Sequence, residues 1–341
     1  MSRTDFWPYL EIVQSGRALD TEQAGAAFTA IMSGQVAEDD LADFLLHMSE
    51  RKPAISEIVG AATAMRAAML SIEAPPGTID LCGTGGDGHG TLNVSTAVSF
   101  VVAGCGVPVA KHGNRNMSSK TGAADVLEAL GVRIDLPPQA AETMLRQSNF
   151  CFLFAQIYHP AMRFVAPVRK QIGIRTIFNL LGPLSNPARV KRQLMGVYAG
   201  DMIVPLANVL MQLGSEKAWV VHGDDGLDEL TTTASSHVAV LDGGKIREMK
   251  VEPEDIGANR VELSALKGGD ARENAAAIGE LLGGAKNAFR DIVLLNSGAA
   301  LAIAGKAESL RAGAVLAADA IDNGAARDML ARVVAASKVA A

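Results

Sequence analysis

Aromatic side chains make up only 4% of the 341 residues, and Lys plus Arg (31) fall short of Asp plus Glu (37). A formal charge of −6 with so few stacking rings argues against the basic stripe or aromatic platform that nucleic-acid binding needs. Cysteine is as scarce. Cys82, Cys105 and Cys151 are odd in number, isolated and without a Cys-x-x-Cys pair, so neither a disulfide framework nor a structural zinc site is expected, and a reducing cytoplasm fits. No run approaches the roughly 18 apolar residues of a membrane span, and the first eight residues carry charge with no apolar stretch behind it. Neither membrane insertion nor export is indicated.

Glycine, by contrast, is concentrated. Between Ile79 and Thr96 a short apolar run is followed by five glycines within Gly83–Gly90, and Ser95-Thr96 precede the apolar stretch Ala97–Ala103. This reads as strand, loop and helix, with the two hydroxyls as caps. Such a turn lets backbone N–H groups close on an anion at a helix N-terminus, a phosphate cradle. Gly83-x-Gly85-x-x-Gly88 formally matches the dinucleotide fingerprint, but Gly90–Asn93 delay the helix, and Lys111-His112 stand where a ribose-binding carboxylate belongs. No Gly-Lys-Ser/Thr follows, so the Walker pattern is absent as well.

Residues 1–72 read as an all-helical domain. Asp20 opens one helix that Ser33-Gly34 close, Asp39-Asp40 open another ending near Arg51–Pro53, and Ser56–Leu70 form a third. Their apolar faces need a partner, which we assign to a second copy of the chain. Glu73–Gly77, with two prolines and a glycine, marks the boundary to an α/β domain over 73–341. There, strands are expected at Ile79–Cys82, Val107–Lys111, Val132–Leu136, Cys151–Ala155, Leu194–Tyr198, Ala218–His222, Val238–Leu241 and Ile292–Leu295, with helices between most of them. The fold class is α/β with a mostly parallel sheet. Ligands in such sheets sit beyond the carboxyl ends of strands, where Gly83, Lys111 and His222 fall.

Charge is segregated within this domain. Gly88–Ala124 contains no Asp or Glu but holds Lys111, Arg115 and Lys120, and Thr143–Gly200 has none against eight Lys and Arg. The first stretch includes Lys111–Ser119, rich in phosphate donors. Opposite in character, Asp224, Asp225, Asp228 and Glu229 follow the strand ending at His222. Clustered carboxylates repel unless a cation compensates, and hard oxygen ligands favour Mg²⁺ shared with a substrate's phosphates.

The motifs Gly83–Asp87, Asn93–Thr96, Lys111–Arg115, Ser118-Ser119, Ala124–Gly131, His159–Met162, Arg175–Leu184 and Asp225–Glu229 together closely resemble the anthranilate phosphoribosyltransferase family, in the family's order. The resemblance covers nearly the whole chain. It implies a nucleoside phosphorylase/phosphoribosyltransferase-like fold and a Mg²⁺-dependent pentosyltransferase. Such an enzyme moves phosphoribose from 5-phosphoribosyl 1-diphosphate (PRPP) to the amine of anthranilate and releases diphosphate, in tryptophan synthesis. It also implies a homodimer paired through the helical domain, with helices near 160–182 packed on that domain.

Carried over by the same resemblance, PRPP would be held by Gly83, Gly86, Asp87, Thr91, Asn93, Val94, Ser95, Thr96, Lys111, His112, Gly113, Asn114, Arg115, Asn116, Met117, Ser118, Ser119 and Ala123. Anthranilate would meet Gly83, Asn114 and Arg169, and magnesium Ser95, Asp228 and Glu229. The chain departs from the family at Ala123, often serine, and at the bulky Asn116-Met117. His112 is the one candidate proton acceptor in the loop. Two rivals share the fold: a pyrimidine nucleoside phosphorylase, which carries a further C-terminal domain, and a non-enzymatic nucleic-acid binder.

Overall fold

In the computed structural model, which describes residues 3–115 and 121–339, Asp20 and Gln23 form a reciprocal capping box. Asp20 Oδ1 accepts from Gln23 N at 2.8 Å, and Gln23 Oε1 accepts from Asp20 N at 3.1 Å. They start α2 (Thr21–Met32), which precedes α3 (Glu38–Glu50) and α4 (Ile55–Ala68). Before them runs α1 (Arg3–Gln14), closed by Gly16 at φ of 76°. Helices α2 and α4 cross closely at Gly60, where a Cβ would stand 2.6 Å from Thr21 O. Buried Glu57 ties the bundle together, accepting from Leu19 N, Ala54 N and both terminal nitrogens of Arg51.

Seven strands form one sheet: β1 (Ile79–Gly83), β2 (Val109–Gly113), β3 (Phe150–Phe154), β4 (Arg192–Gly196), β5 (Lys217–Gly223), β6 (Ser236–Asp242) and β7 (Lys245–Val251). Their order is β3-β2-β1-β4-β5-β6-β7, with the first five parallel and the last two antiparallel. The remaining helices are α5 (Val94–Gly104), α6 (Ala123–Ala129), α7 (Pro138–Ser148), α8 (Ala155–Tyr158), α9 (Ala166–Ile172), α10 (Phe178–Leu184), α11 (Ile203–Gln212), α12 (Ala271–Leu282), α13 (Ala288–Ala304), α14 (Leu310–Asp322) and α15 (Ala325–Val339). Alternate residues along a strand serve opposite cores: Leu194 packs with α5 and α13, and Met195 with α11 and the bundle.

Two expected strands are not strands. Val132–Leu136 alternates buried and exposed residues as a strand would, but side chains take its polar groups: Arg133 N donates to Ser337 Oγ, and Leu136 O accepts from Tyr158 OH. Ile292–Leu295 lies inside α13, a helix buried on nearly every side, so no helical stripe survives in its sequence. The edge strand β7 went unmarked because its exposed residues are charged on both faces.

The bundle's apolar faces are also largely filled from within the chain. Phe28 packs 5.7 Å from Phe178 of α10, and Val165, Val168, Leu181 and Leu206 enter the same core. Trp7 and Leu70 are large apolar side chains of residues 1–72 that remain exposed among the described residues, at 40% and 44%. Helices α9 and α10 contribute side chains to this core.

Candidate active site

In the order β3-β2-β1-β4-β5, the chain leaves β1 in one direction and returns at β4 in the other, so the crevice between their ends is the switch point of the sheet. Gly83 and Gly196 end these strands, and Asp228 fills the space their missing side chains leave. A Cβ on Gly83 would lie 2.3 Å from Asp228 Oδ2, and one on Gly196 would lie 1.5 Å from Asp228 O. The loop beyond β1 turns through Gly85, Gly86, Gly88 and Gly90 at φ of 66°, 80°, 80° and 62°, backbone that side chains resist.

Its conformation is tied at several points. Gly85 N donates to Asp228 Oδ2 at 2.7 Å, Thr84 N to Gly196 O at 2.9 Å, and the Arg175 guanidinium to Gly86 O while lying 4.2 Å from the Tyr198 ring centroid. At the far end, Gly268 N donates to Gly90 O, Leu92 N to Leu266 O, and Asn274 Nδ2 to Asn93 Oδ1. Thr91 forms a bridge with Lys267.

The capping expectation at Ser95-Thr96 is corrected. Helix α5 begins at Val94 with Asn93 as its N-cap, and no side chain caps it. Thr96 and Val94 are buried, and the Thr96 hydroxyl has no hydrogen-bond partner. Of this segment, the side chain of Ser95 faces Lys111, whose Nζ donates to Ser95 Oγ at 3.1 Å and to Leu81 O at 2.6 Å. Within the first turn Val94 N donates to Leu92 O and the Ser95 N–H to the Glu229 carboxylate, while the helix dipole still favours an anion at this end.

Behind this loop stand two half-buried carboxylates. Burial and then Asp87 push Asp228 up to about 6, and burial and then Asp228 push Glu229 up to about 8, with the Ser95 N–H and Lys111 pulling Glu229 the other way. Asp224 and Asp225 are engaged elsewhere: Asp224 pairs with His237 at 2.8 Å, and Asp225 accepts from Thr231, Thr233 and Leu227 N. Among the described residues no three His, Cys, Asp or Glu side chains converge as a metal-ligand set. A magnesium ion completed by substrate phosphates needs only one or two carboxylates, and Asp228, Glu229 and the Ser95 hydroxyl are hard oxygen donors whose mutual repulsion such an ion relieves. The residues fit the metal.

Several expected residues stand apart. Arg115 is turned to α6, where it makes a bidentate pair with Glu128 (2.5 and 2.7 Å) and a bond to Asp125 at 3.0 Å, so its charge is already matched away from the glycine loop. His112 is unsuited as a proton acceptor. Its ring is buried with one nitrogen on Gly182 O and the other 3.1 Å from His159 Nε2, and burial together with His159 depresses it to about 3. Gly113 and Ala123 pack near each other, and Asn114 is exposed with its Oδ1 on Arg115 N. Asn116, Met117, Ser118 and Ser119 lie outside the described residues. Arg169 is half-buried on α9, bonded to Asn179 at 3.4 Å, and burial lowers its guanidinium. His222 Nδ1 is bonded to Val197 O at 2.8 Å, and the ring lines a separate cavity of about 430 Å³ with Asp201, Asp224, His237 and Glu248.

Sequence reasoning missed Arg175, although it stands in a quoted motif, and missed the 266–274 segment that stitches down the loop. Asn296 was missed too. Wholly buried on α13, it accepts from Leu230 N at 3.1 Å and donates to Leu230 O at 2.7 Å, fixing the backbone beside Glu229.

Comparison with known proteins agrees with this geometry. Residues 75–327 match the α/β domain of the glycosyl transferase family, and residues 8–69 its helical bundle domain. An anthranilate phosphoribosyltransferase of Parvibaculum lavamentivorans is 53% identical over 334 residues, 98% of each chain. The crystal structure of the anthranilate phosphoribosyltransferase of Thermus thermophilus superposes with a TM-score of 0.92 at 41% identity, covering 97% of this chain and 99% of that one. The Saccharomyces cerevisiae enzyme, in complex with PRPP and Mg, gives 0.91 at 26% identity over 99% of both. With full-length identity above one half and the same two domains, the chain belongs to the anthranilate phosphoribosyltransferase family.

Proposed function

We propose that this chain transfers the phosphoribosyl group of PRPP to the amine of anthranilate, releasing diphosphate. One observation carries the reading: an uncapped helix N-terminus, a glycine loop, the Lys111 ammonium and the Asp228–Glu229 pair meet at the carboxyl ends of β1, β2 and β4. Each suits a diphosphate or the cation it brings. Family relatives act on these substrates by name, and the yeast relative binds PRPP and Mg.

Displacement at the ribose C1 passes through an oxocarbenium-like state, so the barrier lies mainly in stabilising the departing diphosphate. Lys111 is a fixed donor for that developing charge, and the positive end of the α5 dipole favours it as well. Magnesium, when bound, neutralises the diphosphate further. No strong base is required, because an aromatic amine is neutral at pH 7; the burial of His112 accords with that. Arg169 and Asn114 receive the anthranilate carboxylate, with Arg169 well placed in charge to make a bidentate pair, and positioning in line supplies much of the rate. The Gly83, Gly86, Asp87, Thr91 and Asn93 positions line the PRPP side.

Loss of anthranilate fluorescence on mixing the protein with PRPP and Mg²⁺ is the expected result. An unchanged signal overturns the activity, and turnover of a pyrimidine nucleoside with inorganic phosphate would install the phosphorylase instead.

The same reading makes the chain a cytoplasmic homodimer, with 1–72 as the pairing domain and 73–341 as the catalytic one. Exposed Trp7 on α1 supports the pairing face. Sedimentation at micromolar concentration should give twice the 35.5 kDa chain mass; an active monomer would assign that face to solvent.

A further inference from the structure

A backbone N–H can only donate, and one such group fixes the sense of two carboxamides in turn. Gly269 N donates to the Asn274 side chain at 2.8 Å, so the atom it meets is the Asn274 oxygen. The Asn274 Nδ2 group is then the donor to its other neighbour, and the atom that accepts from it at 2.8 Å must be Asn93 Oδ1. With its oxygen taken, what Asn93 can turn to its other side is its Nδ2 group, two donors and no acceptor.

The origin of this relay is rigid. Asn274 is 1% exposed in the first turns of α12, which Asp270 caps through Arg272 N and Glu273 N. The segment before it lies backbone to backbone on the glycine loop: Gly268 N donates to Gly90 O, Leu92 N to Leu266 O, and a Cβ on Gly268 would stand 2.5 Å from Thr91 O. Asn93 is the N-cap of α5, where an asparagine oxygen ordinarily accepts from an amide of its own helix, yet it makes no such bond. That oxygen is drawn off by Asn274 instead. Local capping would satisfy it equally well, so the helix does not need the relay. An anion does: phosphate oxygens only accept, and a carboxamide left free to flip could face them with its own oxygen.

We propose that Asn274 is a positioning residue for phosphoribosyl transfer: by holding Asn93 Oδ1 it commits the side chain at the end of the glycine loop to donating to PRPP. This rests on the reading of Asn93 as a PRPP contact. Sealed within the protein, Asn274 meets neither substrate and acts through Asn93 alone.

A double-mutant cycle tests it. Asn274→Ala frees the Asn93 carboxamide and is expected to lower kcat/KM for PRPP roughly tenfold, with KM for anthranilate unchanged. In an Asn93→Ala background the same change should alter kcat/KM for PRPP by less than about twofold, because the group it acts through is gone. Equal losses in both backgrounds overturn the proposal and make Asn274 a structural tie of the 266–274 segment. So does wild-type kcat/KM in Asn274→Ala. Should Asn274→Ala fail to fold, Asn274→Asp keeps an acceptor for Gly269 N and goes through the same cycle. At pH 8 its second oxygen accepts from Asn93 Nδ2 and turns the Asn93 oxygen toward PRPP, so a larger loss is expected, roughly thirty- to a hundredfold. Equal losses in the two backgrounds, or none, again overturn the proposal. Failure of the underlying site reading appears separately, as an Asn93→Ala single variant with wild-type kcat/KM for PRPP.

Discussion

Replacing both carboxylates behind the glycine loop, Asp228→Asn with Glu229→Gln, is expected to lower kcat/KM at saturating Mg²⁺ by at least about 10³-fold, while the metal-free protein melts a few degrees higher than wild type at pH 8. The first half follows from donor chemistry: the amides keep the shape but lose the charge that holds a divalent cation against the diphosphate, a contribution of several kcal/mol. The second half follows from where the carboxylates sit. Both are raised in the folded protein, Asp228 from 3.8 to about 6 and Glu229 from 4.5 to about 8, by burial first and by a neighbouring carboxylate second.

A carboxyl whose folded value is raised adds stability that is full below its unfolded value and is lost as pH rises through the folded one. The wild-type protein without metal should therefore weaken from about pH 4 to about pH 8, and the double amide should not. Melting curves across that range, beside steady-state rates, test both halves. Wild-type turnover in the double variant would remove the pair from the metal site. Melting curves that stay parallel from pH 5 to 8 would show the carboxylates to be freely ionised.

What could be read from the chain, and what could not, divides along sequence distance. The glycine loop, its strand and the helix after it were legible because adjacent residues form them: positive φ at Gly85–Gly90 needs nothing beyond glycine itself. The Asp20 cap was legible for the same reason. Val132–Leu136 and Ile292–Leu295 misled because local pattern cannot tell whether an alternating segment finds a sheet edge, or whether an apolar run is strand or buried helix. The site residues divide in the same way. Nothing local says that Arg115 turns back to Glu128, that His112 meets His159, or that Asn274 reaches Asn93 across 181 positions. Asp80 was hidden most completely, since one acidic residue in an apolar strand carries no sign that it accepts from His112 N until β2 lies beside it.

Lys111→Met should lower kcat/KM for PRPP about 10²- to 10³-fold and leave KM for anthranilate within about twofold, with the fold retained. The size follows from removing one preorganised donor aimed at a developing anion, about 2.7 to 4 kcal/mol in comparable sites. Lys111 meets the preorganisation condition: it is 2% exposed, and its Nζ is fixed between Leu81 O and Ser95 Oγ, so little motion is needed when the diphosphate leaves. The loss should fall on PRPP because the ammonium lies at the Ser95 end of the loop, while Arg169 sits on α9 with Asn179. Methionine matches the stem of lysine, but it gives up the bonds to Leu81 O and Ser95 Oγ and leaves buried Asp80 without the opposing charge of Lys111. A lower melting temperature therefore accompanies the kinetic loss. Lys111→Arg should not rescue, because a rigid fork has no room in a gap that closes on a single amine. A Lys111→Met protein with unchanged PRPP kinetics and a lowered melting temperature would make Lys111 a structural prop between β1 and β2, and the diphosphate would then be held by the loop amides and α5 alone.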